Sequence, residues 1–520
     1  GSGPVDIYSA AKAIPRFGVP YDEEGNIITN PCGSTTNVYT VIDEWNKSTD
    51  NRQTFRALGS FYGQFDFGKI WAPLEGLSYK ISFGPDFRHY RQGIFISKDS
   101  AVKMGSKNYA KYATDRYLSW TLDNQINYNK TFGKHNLGVT LLQSASKYNK
   151  ESGSESANAI PNENFEWYNM GSVDITDAAT YGAGMSTGMS ENQLASYMAR
   201  VNYAYNDRYL LTVSGRYDGS SKFPKESRYG FFPSVSAGWN IAQEKFMEST
   251  QNWLGSLKLR ASYGMIGNQN VPAYSFIPTM AVNNKYNGWI SNGNYVTAIT
   301  SIPSLVSRNF TWEKVGTLDI GIDFSMFSNR FTGTFDWYQR NTNGMLAPGV
   351  QLPAVVGADA PYQNTADMRT RGWELSFNWR DQIGKVSYRV GFNLSDSKSK
   401  IVKYDSNSSY ILSSQKTNAL TGGTYTFWEF YKGKELGEIW GYETDGYYTV
   451  DDFVDTSSWK LKDGVPSIDG YNPRPGDVKF KNLMDDERGT NMISSGNNTL
   501  NNPGDRKVIG NETPRYLYGI

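Results

Sequence analysis

The chain of 520 residues is poor in the residues from which many catalytic and metal sites are built. It contains one cysteine, Cys32, and two histidines, His89 and His135. One cysteine cannot form a disulfide within the chain, and this set is too small for a four-cysteine or a histidine-built zinc site. No serine, histidine and acidic residue stand in the order of a known nucleophilic triad. The sequence therefore predicts no cofactor and no enzymatic activity.

An excess of charge of one sign is also missing, and so is a long apolar run. Lys and Arg number 52 against 51 Asp and Glu, and the formal net charge is +1. This balance gives no general attraction to nucleic acid, which we do not expect as a partner. No stretch reaches the roughly 20 apolar residues of a transmembrane helix. The first residues, GSGPVDIY, lack the charged and apolar regions of a signal peptide.

Aromatic residues are abundant, at 15% of the chain, and they stand in an alternating pattern. The stretch YAYNDRYLLTVSGRYDGS at 203–220 alternates apolar and polar residues on both sides of Asn206-Asp207. A period of two indicates β-strands, and Asn and Asp tolerate the positive φ of a tight turn. The same pattern recurs along most of the chain, which predicts an all-β fold of antiparallel hairpins.

The polar faces of these strands carry charges well inside the strands. In a membrane barrel they would face the wet lumen, while the apolar faces would meet lipid. A soluble β protein with large core residues is the alternative. The predicted lumen-facing residues are Arg200, Arg216, Arg260, Asp319, Asp323 and Arg380.

The spacing of the connections favours lipid against the apolar faces. Short turns on one side and long loops on the other are typical of outer-membrane barrels, and strands of about ten residues suit a tilted crossing. Tyr and Trp at the ends of many apolar faces would form the interfacial girdles. Short links are predicted near 130–135, 206–207, 327–330 and 381–385, and long loops near 90–116, 147–193, 266–315 and 341–371.

Several longer motifs stand in a fixed order along the chain. Three of them follow one another between residues 200 and 268: RVNYAYNDRYLLTVSGRYDGSSKF, YGFFPSVSAGWNIAQEKFM and SLKLRASYGMIGN. Two more lie downstream, FTWEKVGTLDIGIDFSMFSNRFTGTFDWYQRNTNGML and MRTRGWELSFNWR. Together these motifs resemble one family, the SusC-like TonB-dependent outer-membrane transporters. The likeness runs from about Phe55 onward. It implies a large antiparallel transmembrane β-barrel of the 22-stranded type. We expect residues 1–520 to form its central and later part, without the N-terminal plug domain and the last strands.

The resemblance also implies a function and partners in the bacterial outer membrane. It implies TonB-dependent active import of a large nutrient, an oligosaccharide in the first place and a peptide as the alternative. A SusD-like surface lipoprotein would act as lid, TonB would bind a segment absent from this chain, and a dimer of transporter–lid pairs is left open. Three alternatives remain: a glycan-binding β protein that transports nothing, a glycan-degrading enzyme, and a passive porin if the chain is complete.

Two kinds of candidate site lie in the predicted loops. Aromatic faces beside amides suit sugar binding, although such residues also pack loop against loop or against a lid. These candidates are Tyr286, Trp289, Trp428 and Tyr431 in YNGWISNGNY and TYTFWEFYKG. The acidic segment Asp485, Asp486 and Glu487 is a weak Ca²⁺ candidate. Because it lacks the ligand spacing of an EF-hand, we favour a solvated acidic loop there.

Overall fold

The computed structural model describes most of the chain, in two compact units. The described residues are 4, 6–33, 38–103, 106–174, 176, 184–279, 282–283, 290–291, 294–295, 299–300, 304–307, 310–348, 354–356, 361–404, 415–417, 424–426, 431–468, 471–484, 491–494, 496 and 503–519. The first unit comprises Gly1–Asp66, Ser78–Ile126 and Leu142–Ala195. The second comprises Phe67–Leu77, Asn127–Leu141 and Ser196–Ile520.

One large antiparallel sheet of 14 strands dominates the fold. The strands pair in chain order, except that β1 and β2 both pair with β3. Such an up-and-down order follows from consecutive hairpins, as the alternating pattern predicts. The strands are β1 Ser48–Leu58, β2 Phe61–Asp66, β3 Leu77–Ile96, β4 Tyr109–Phe132, β5 His135–Asn158, β6 Gly184–Tyr205, β7 Tyr209–Ser220, β8 Tyr229–Asn240, β9 Leu254–Asn268, β10 Glu313–Met326, β11 Phe331–Pro348, β12 Tyr362–Ile383, β13 Val386–Tyr404 and β14 Leu517–Gly519.

Helices are short. The α-helices are α1 Ile7–Ala13, capped by the Asp6 side chain, and α2 Glu44–Lys47. No helix in the described parts of the chain is both long and apolar enough to cross a membrane. The 3-10 turns are Phe67–Lys69, Ala72–Leu74, Glu163–Phe165, Met170–Ser172, Lys225–Ser227, Ile241–Gln243, Lys245–Thr250, Ala354–Val356 and Val450–Asp452.

The predicted tight turns are confirmed by backbone geometry. Asn206 and Asp207 have φ of 52° and 55°, and Phe327, Ser328 and Asn329 have φ of 53°, 56° and 64°. Consecutive residues at positive φ give a turn whose twist matches the twist of the flanking strands. The short links at 206–208 and 327–330 therefore hold their hairpins in register.

The strands are longer than the predicted ten residues. β4 and β5 have 24 residues each, and β6 and β12 have 22. The loops are correspondingly shorter, at 97–108, 159–183, 269–312 and 349–361. The prediction was wrong because an apolar face marks only the part of a strand that meets lipid. Backbone pairing continues through polar segments such as KYNKESGSESAN at the end of β5, where no apolar period signals it.

The apolar faces of the strands are not covered by protein within the described residues. In the second unit the exposed fractions are 47% for Val213, 43% for Val235, 42% for Ile320 and 54% for Val390. Contiguous exposed apolar surface on this scale needs a covering medium. This confirms the prediction that the apolar faces do not pack on a protein core.

Small aromatic cores form where loops fold back over the strands. In the first unit Trp167 packs with Phe95, Ala157 and Ile160, and its indole lies directly on Gly93, where a Cβ would come within 2.1 Å of the ring. Only glycine leaves room for that approach. Trp167 thereby holds the loop after β5 against β3.

The connection between β13 and β14 carries short strands of its own, and its described part from 431 to 516 is here called the excursion. Its paired strands are Glu438–Tyr442 with Arg506–Asn511, Thr444–Tyr447 with Val478–Phe480, and Ser467–Ile468 with Met492–Ile493. The fully buried Asp505 accepts hydrogen bonds from the backbone N–H groups of Leu483, Met484 and Ser494 at 2.5–2.8 Å. Other two-stranded pairs are Val282–Asn283 with Ile299–Thr300, Ile290–Ser291 with Asn294–Tyr295, and Gln415–Thr417 with Thr424–Thr426.

Candidate functional site

The polar face of β9, β10 and β11 carries one arginine among three aspartates, here called the Arg260 cluster: Arg260, Asp319, Asp323 and Asp336. Arg260 lies on β9 opposite Gly321 of β10, and Gly321 lies opposite Asp336 of β11. Asp319 and Asp323 stand two residues before and after Gly321, so strand alternation puts them on the same face. The register therefore surrounds one guanidinium with carboxylates from two strands.

The contacts of Arg260 use its whole guanidinium. Nε donates to Asp323 Oδ2 at 3.0 Å, and Nη1 donates to Asp319 Oδ1 at 3.2 Å. Nη2 donates to Asp336 Oδ2 at 2.7 Å and lies 2.6 Å from Oδ1, off the direction of a hydrogen bond. Arginine suits this position because its planar fork can serve several carboxylates at once.

Gly321 provides the space for this arrangement. A Cβ at this residue would lie 2.3 Å from Asp336 Oδ1 and 2.6 Å from Arg260 Cζ. Arg260 can therefore reach across β10 to β11 only because the strand between them has no side chain at that point. The glycine is required for close approach, since its φ is not in the left-handed region.

The cluster is polar and half-buried, with more negative than positive charge. The side chains of Arg260, Asp319, Asp323 and Asp336 keep exposed fractions between 20% and 35%. Beside the cluster, a recess of about 320 Å³ is lined by Thr212, Ser236 and Lys258 together with Arg260 and Asp319. Such a surface can hold water and polar solutes. Among the described residues no set of three or more His, Cys, Asp and Glu is placed to hold a metal ion.

The other predicted polar-face residues lie apart from the cluster. Arg216 forms an ion pair with the buried Asp218 two residues along β7, at 2.8 Å. Arg380 is exposed and donates from Nε to the backbone carbonyl of Asn329 at 3.1 Å. Arg200 is exposed on β6. The structure thus brings together three of the six predicted residues, Arg260, Asp319 and Asp323.

A second polar centre lies at the short-turn end of β7 and β8 and was missed by sequence analysis. Glu244 Oε1 accepts from Tyr209 Oη at 2.6 Å and from Trp239 Nε1 at 3.0 Å, and Oε2 accepts from Arg208 Nη1 at 3.0 Å. These hydrogen bonds, with the positive charge of Arg208, lower the pKa of the Glu244 carboxyl. One carboxylate therefore anchors Trp239, a predicted girdle residue, and the neighbouring Tyr209 at the edge of the apolar band, where their polar atoms find a partner.

Most loop candidates lie outside the described residues: Tyr286, Trp289 and Trp428 for cargo, and Asp485, Asp486 and Glu487 for Ca²⁺. Tyr431 is described. It is 9% exposed, its hydroxyl donates to Glu438 Oε2 at 2.5 Å, and burial raises the pKa of that hydroxyl. Little of its ring is available to a solute, and cargo contact by the loop aromatics stays a prediction.

Asp336 is the member of the cluster that sequence analysis did not select. It belongs to the polar face of an alternating strand, but nothing in its neighbours FTGTFDWYQR marks it from Thr332 or Thr334. The available signal was Gly321, one of two glycines in β10, because a glycine inside a strand often marks a close approach. Glu244 had no such signal, since it lies in an irregular link.

A large antiparallel sheet with one uncovered apolar face and one charged face is the structure of a transmembrane β-protein. The model of the family described as TonB dependent receptor-like, beta-barrel, matches residues 8–472. The chain belongs to this family of outer-membrane receptors and transporters, as the motifs between residues 200 and 268 predicted.

Individual relatives agree with the family. The chain is similar to TonB-dependent receptor P3 of Formosa agariphila, with 28% identity over 100% of this chain and 48% of that protein. It is similar to TonB-dependent receptor SusC of Bacteroides thetaiotaomicron, with 35% identity over 41% of this chain and 21% of that protein. Among solved structures, the RagAB peptide importer in its closed-closed state superposes with a TM-score of 0.68 at 19% identity, covering 96% of this chain and 49% of that one. This last likeness concerns the fold. The chain spans about half the length of the P3 relative and less of the SusC protein.

Proposed function

We propose that the protein of which this chain forms part of the barrel wall imports a large nutrient across the bacterial outer membrane by TonB-dependent active transport. The observation that carries the proposal is the two-faced sheet, apolar and uncovered on one side and charged around Arg260 on the other, in a member of the TonB-dependent receptor family. A polar inner wall lets a hydrated cargo pass without covalent change.

The cargo we propose is an oligosaccharide, with a peptide as the alternative. The resemblance of the motifs to the SusC-like family implies the first, and the long loops rich in Tyr, Trp and Asn suit stacking on sugar rings with hydrogen bonds to hydroxyls. The support for a peptide is that a structure of similar fold is that of a peptide importer. Similarity of fold alone does not identify the cargo. Loop aromatics remain the proposed contacts.

The partners we propose are a SusD-like lipoprotein, which would cover the extracellular mouth, and TonB, which would pull on a segment outside this chain. The excursion supports a partner on the loop side, because it exposes Tyr447 by 65%, Val450 by 53% and Val454 by 60%. Exposed apolar side chains grouped on a folded loop are typical of interaction surfaces.

Uptake by living cells tests the proposal. Cells that encode the protein, cells with the gene deleted and complemented cells would receive fluorescent oligosaccharides of increasing length and a matched set of peptides. We expect accumulation in the periplasm only with the gene present, and its loss when a protonophore collapses the inner-membrane proton gradient.

Each alternative gives a different result in the same assay. Uptake that survives the protonophore indicates a passive porin. Label that stays on the cell surface without entering indicates a binding protein, and shortened oligosaccharides in the medium of cells or with the purified protein indicate an enzyme. Any of these three outcomes would contradict active import.

A further inference from the structure

The outward face of β12 and β13 carries four cations just beyond its apolar band. On β12 the face that holds Trp373 continues as Arg371 and Arg369, and on β13 the face that holds the exposed Val390 continues as Lys398 and Lys400. The strand register sets Arg371 opposite Lys398 and Arg369 opposite Lys400. Arg371 and both lysines are exposed, and Arg369 is half-buried. These four residues are here called the outer basic patch: Arg369, Arg371, Lys398 and Lys400.

The height of the outer basic patch follows from the length of β12. Ile383, 71% exposed, ends the strand at the short turn, and Trp373 lies ten residues earlier, opposite Trp337 of β11. Ten residues of a strand tilted by roughly 40° rise about 26 Å, which is the height of the apolar band in such barrels. The patch begins two residues beyond Trp373. It therefore lies at headgroup level on the long-loop side, which is the extracellular side in this family.

The cations of the outer basic patch are not neutralised by neighbouring acids. Asp396 is engaged by Arg515, whose Nη2 donates to its Oδ2 at 2.5 Å, and Asp367 accepts a hydrogen bond from the backbone at 2.8 Å. Glu435 lies 3.7 Å from Lys398 Nζ. Within the described residues, the other three cations of the patch have no carboxylate at ion-pair distance. Like charges directly opposite each other on two strands are destabilising, so the bare arrangement has a cost that an anion would offset.

Outward cations in the first unit are paired differently. Arg116 shares its face of β4 with the exposed Leu118, and its Nη2 lies 2.7 Å from Glu151 on β5. Lys147 on β5 lies 2.9 Å from Glu191 on β6. These cations each have a carboxylate on the neighbouring strand. The outer basic patch instead sets cation opposite cation, which requires an explanation of its own.

Neighbouring amides hold both guanidinium groups of the patch in place. Arg371 Nε donates to Gln339 Oε1 at 2.8 Å, and Arg369 Nε donates to Asn341 Oδ1 at 3.0 Å. Each amide lies directly opposite its arginine in the register of β11 with β12. The amides are neutral and leave the positive charge in place. The Nη groups of both arginines remain available as donors, and a guanidinium held in this way matches the oxygens of a phosphate.

We propose that the outer basic patch binds the phosphate groups of a lipid in the outer leaflet of the membrane. Its four Cα positions mark a rectangle of about 7 by 5 Å, so that a phosphate can lie between an arginine of β12 and the lysine opposite. The acyl chains of the same lipid would lie against the apolar band below Trp373. Basic clusters at headgroup level recognise anionic lipids through this combination of charge and position. The inference concerns the lipid around the wall and goes beyond the proposed transport.

Native mass spectrometry of the purified full-length protein, freed of its own lipid in detergent, tests the binding. The probes are diphosphoryl lipid A, the same lipid without its phosphates, and inorganic phosphate. We expect a lipid A adduct that is much weaker when the phosphates are removed, and no comparable binding of inorganic phosphate. Equal binding of the two lipids, or no binding of either, would overturn the proposal. Inorganic phosphate that binds as tightly as lipid A would show a site for free anions and would refute the lipid assignment.

A pair of variants locates the binding on the wall. Arg369→Gln with Arg371→Gln should raise the dissociation constant for lipid A about 30-fold, because each basic residue near an anionic group contributes roughly fivefold. The matched control is Arg330→Gln with Arg389→Gln, which removes the same charge at the short-turn end of β11 and β13 and should leave the dissociation constant unchanged. Equal weakening by both pairs, or by neither, would contradict the inference.

The unfolding temperature separates lost binding from lost folding. Without lipid, Arg369→Gln with Arg371→Gln should unfold at or above the temperature of the unaltered protein, because two like-charge pairs are removed. Lipid A should raise the unfolding temperature of the unaltered protein and not that of this variant. A variant that lipid A stabilises as much as the unaltered protein would refute the site. Nutrient uptake, measured in cells that carry the same variants, reports separately on the proposed function.

Discussion

Arg260 on β9 contacts Asp336 on β11 across an intervening strand, with Nη2 2.7 Å from Oδ2. Neighbouring strands lie about 4.8 Å apart, so the side chains must span two spacings. They can do so because Gly321 leaves the middle of β10 open. The contact therefore couples three strands of the wall through one guanidinium.

Gly321→Ala should break this contact while leaving the sheet paired. The new methyl group would need the space that the far end of Arg260 occupies, and that flexible side chain would move away. We expect a lower unfolding temperature, corresponding to about 1–3 kcal/mol for loss of a hydrogen bond between charged groups. Gly153→Ala is the control, because its Cβ would meet no atom closer than 3.9 Å. Equal unfolding temperatures for the two variants would contradict the role of Gly321.

Arg260→Leu should destabilise the protein more than Arg380→Leu. Removing Arg260 leaves Asp319, Asp323 and Asp336 close together, half-buried and without their shared counter-charge. We expect a loss of about 2–4 kcal/mol, somewhat below the value for breaking a fully buried pair. Arg380 is exposed, and its removal should cost at most about 1 kcal/mol. Denaturation in urea, followed by tryptophan fluorescence in vesicles, measures the free energy of unfolding of both variants. Comparable losses of stability would show that the Arg260 cluster does not stabilise the sheet.

The sequence predicted the wall better than the sites on it. Alternation placed Arg260, Asp319 and Asp323 on one face because a strand has a strict period of two. Asp336 lies beside them because of the register of β9 with β10 and of β10 with β11. That register depends on turn geometry and cannot be read from the sequence of any single strand. The strand ends were predicted wrongly for a related reason. The polar half of β5 is held by backbone pairing to its neighbouring strands, whereas an alternating side-chain pattern marks only the part of a strand that meets lipid.

Glu244 shows a second limit of sequence analysis. Its three partners come from β7, its preceding turn and β8, and the carboxylate reaches them from an irregular link. Nothing periodic marks a residue of this kind. The family, by contrast, was recognisable from the motifs alone, since RVNYAYNDRYLLTVSGRYDGS combines strand, turn and strand in a fixed order.

Glu244→Gln should loosen the aromatic girdle at the short-turn end. The neutral amide loses its ion pair with Arg208 and is a poorer acceptor for Tyr209 and Trp239. We expect a lower unfolding temperature and a shift of tryptophan emission towards longer wavelength as Trp239 becomes more hydrated. Glu248→Gln, in the same link, is the control and should change neither. If both variants behave like the unaltered protein, Glu244 does not anchor the girdle.

The excursion should lose stability in acid through Glu443. This carboxylate forms ion pairs with Lys481 at 2.8 Å and with Lys507, and these contacts lower its pKa to about 2 from an ordinary value of 4.5. Because the folded pKa is the lower one, the stabilisation is complete above pH 4.5 and is lost as the pH falls towards 2.

Pepsin cleavage of the excursion between pH 4.5 and 2 measures this dependence. The ratio of cleavage rates, Glu443→Gln over the unaltered protein, should be greatest near pH 4.5 and fall towards one near pH 2. Taking the ratio cancels the protease's own pH dependence. Asp451→Asn, an exposed substitution in the same excursion, should give a ratio near one throughout. A ratio for Glu443→Gln that is flat with pH would exclude the ion pairs as its cause.

The most direct test of the account is a comparison of one substitution on the two faces of neighbouring strands. Ile320→Arg places a charge on the apolar face of β10, and Thr334→Arg places the same charge on the polar face of β11, opposite Asp323. The full-length protein is folded into vesicles, and its free energy of unfolding is measured. This free energy should fall by roughly 2–4 kcal/mol for Ile320→Arg. It should change little for Thr334→Arg. Equal losses at the two positions would show that the apolar face does not meet lipid, and the assignment of this sheet to a membrane wall would fail.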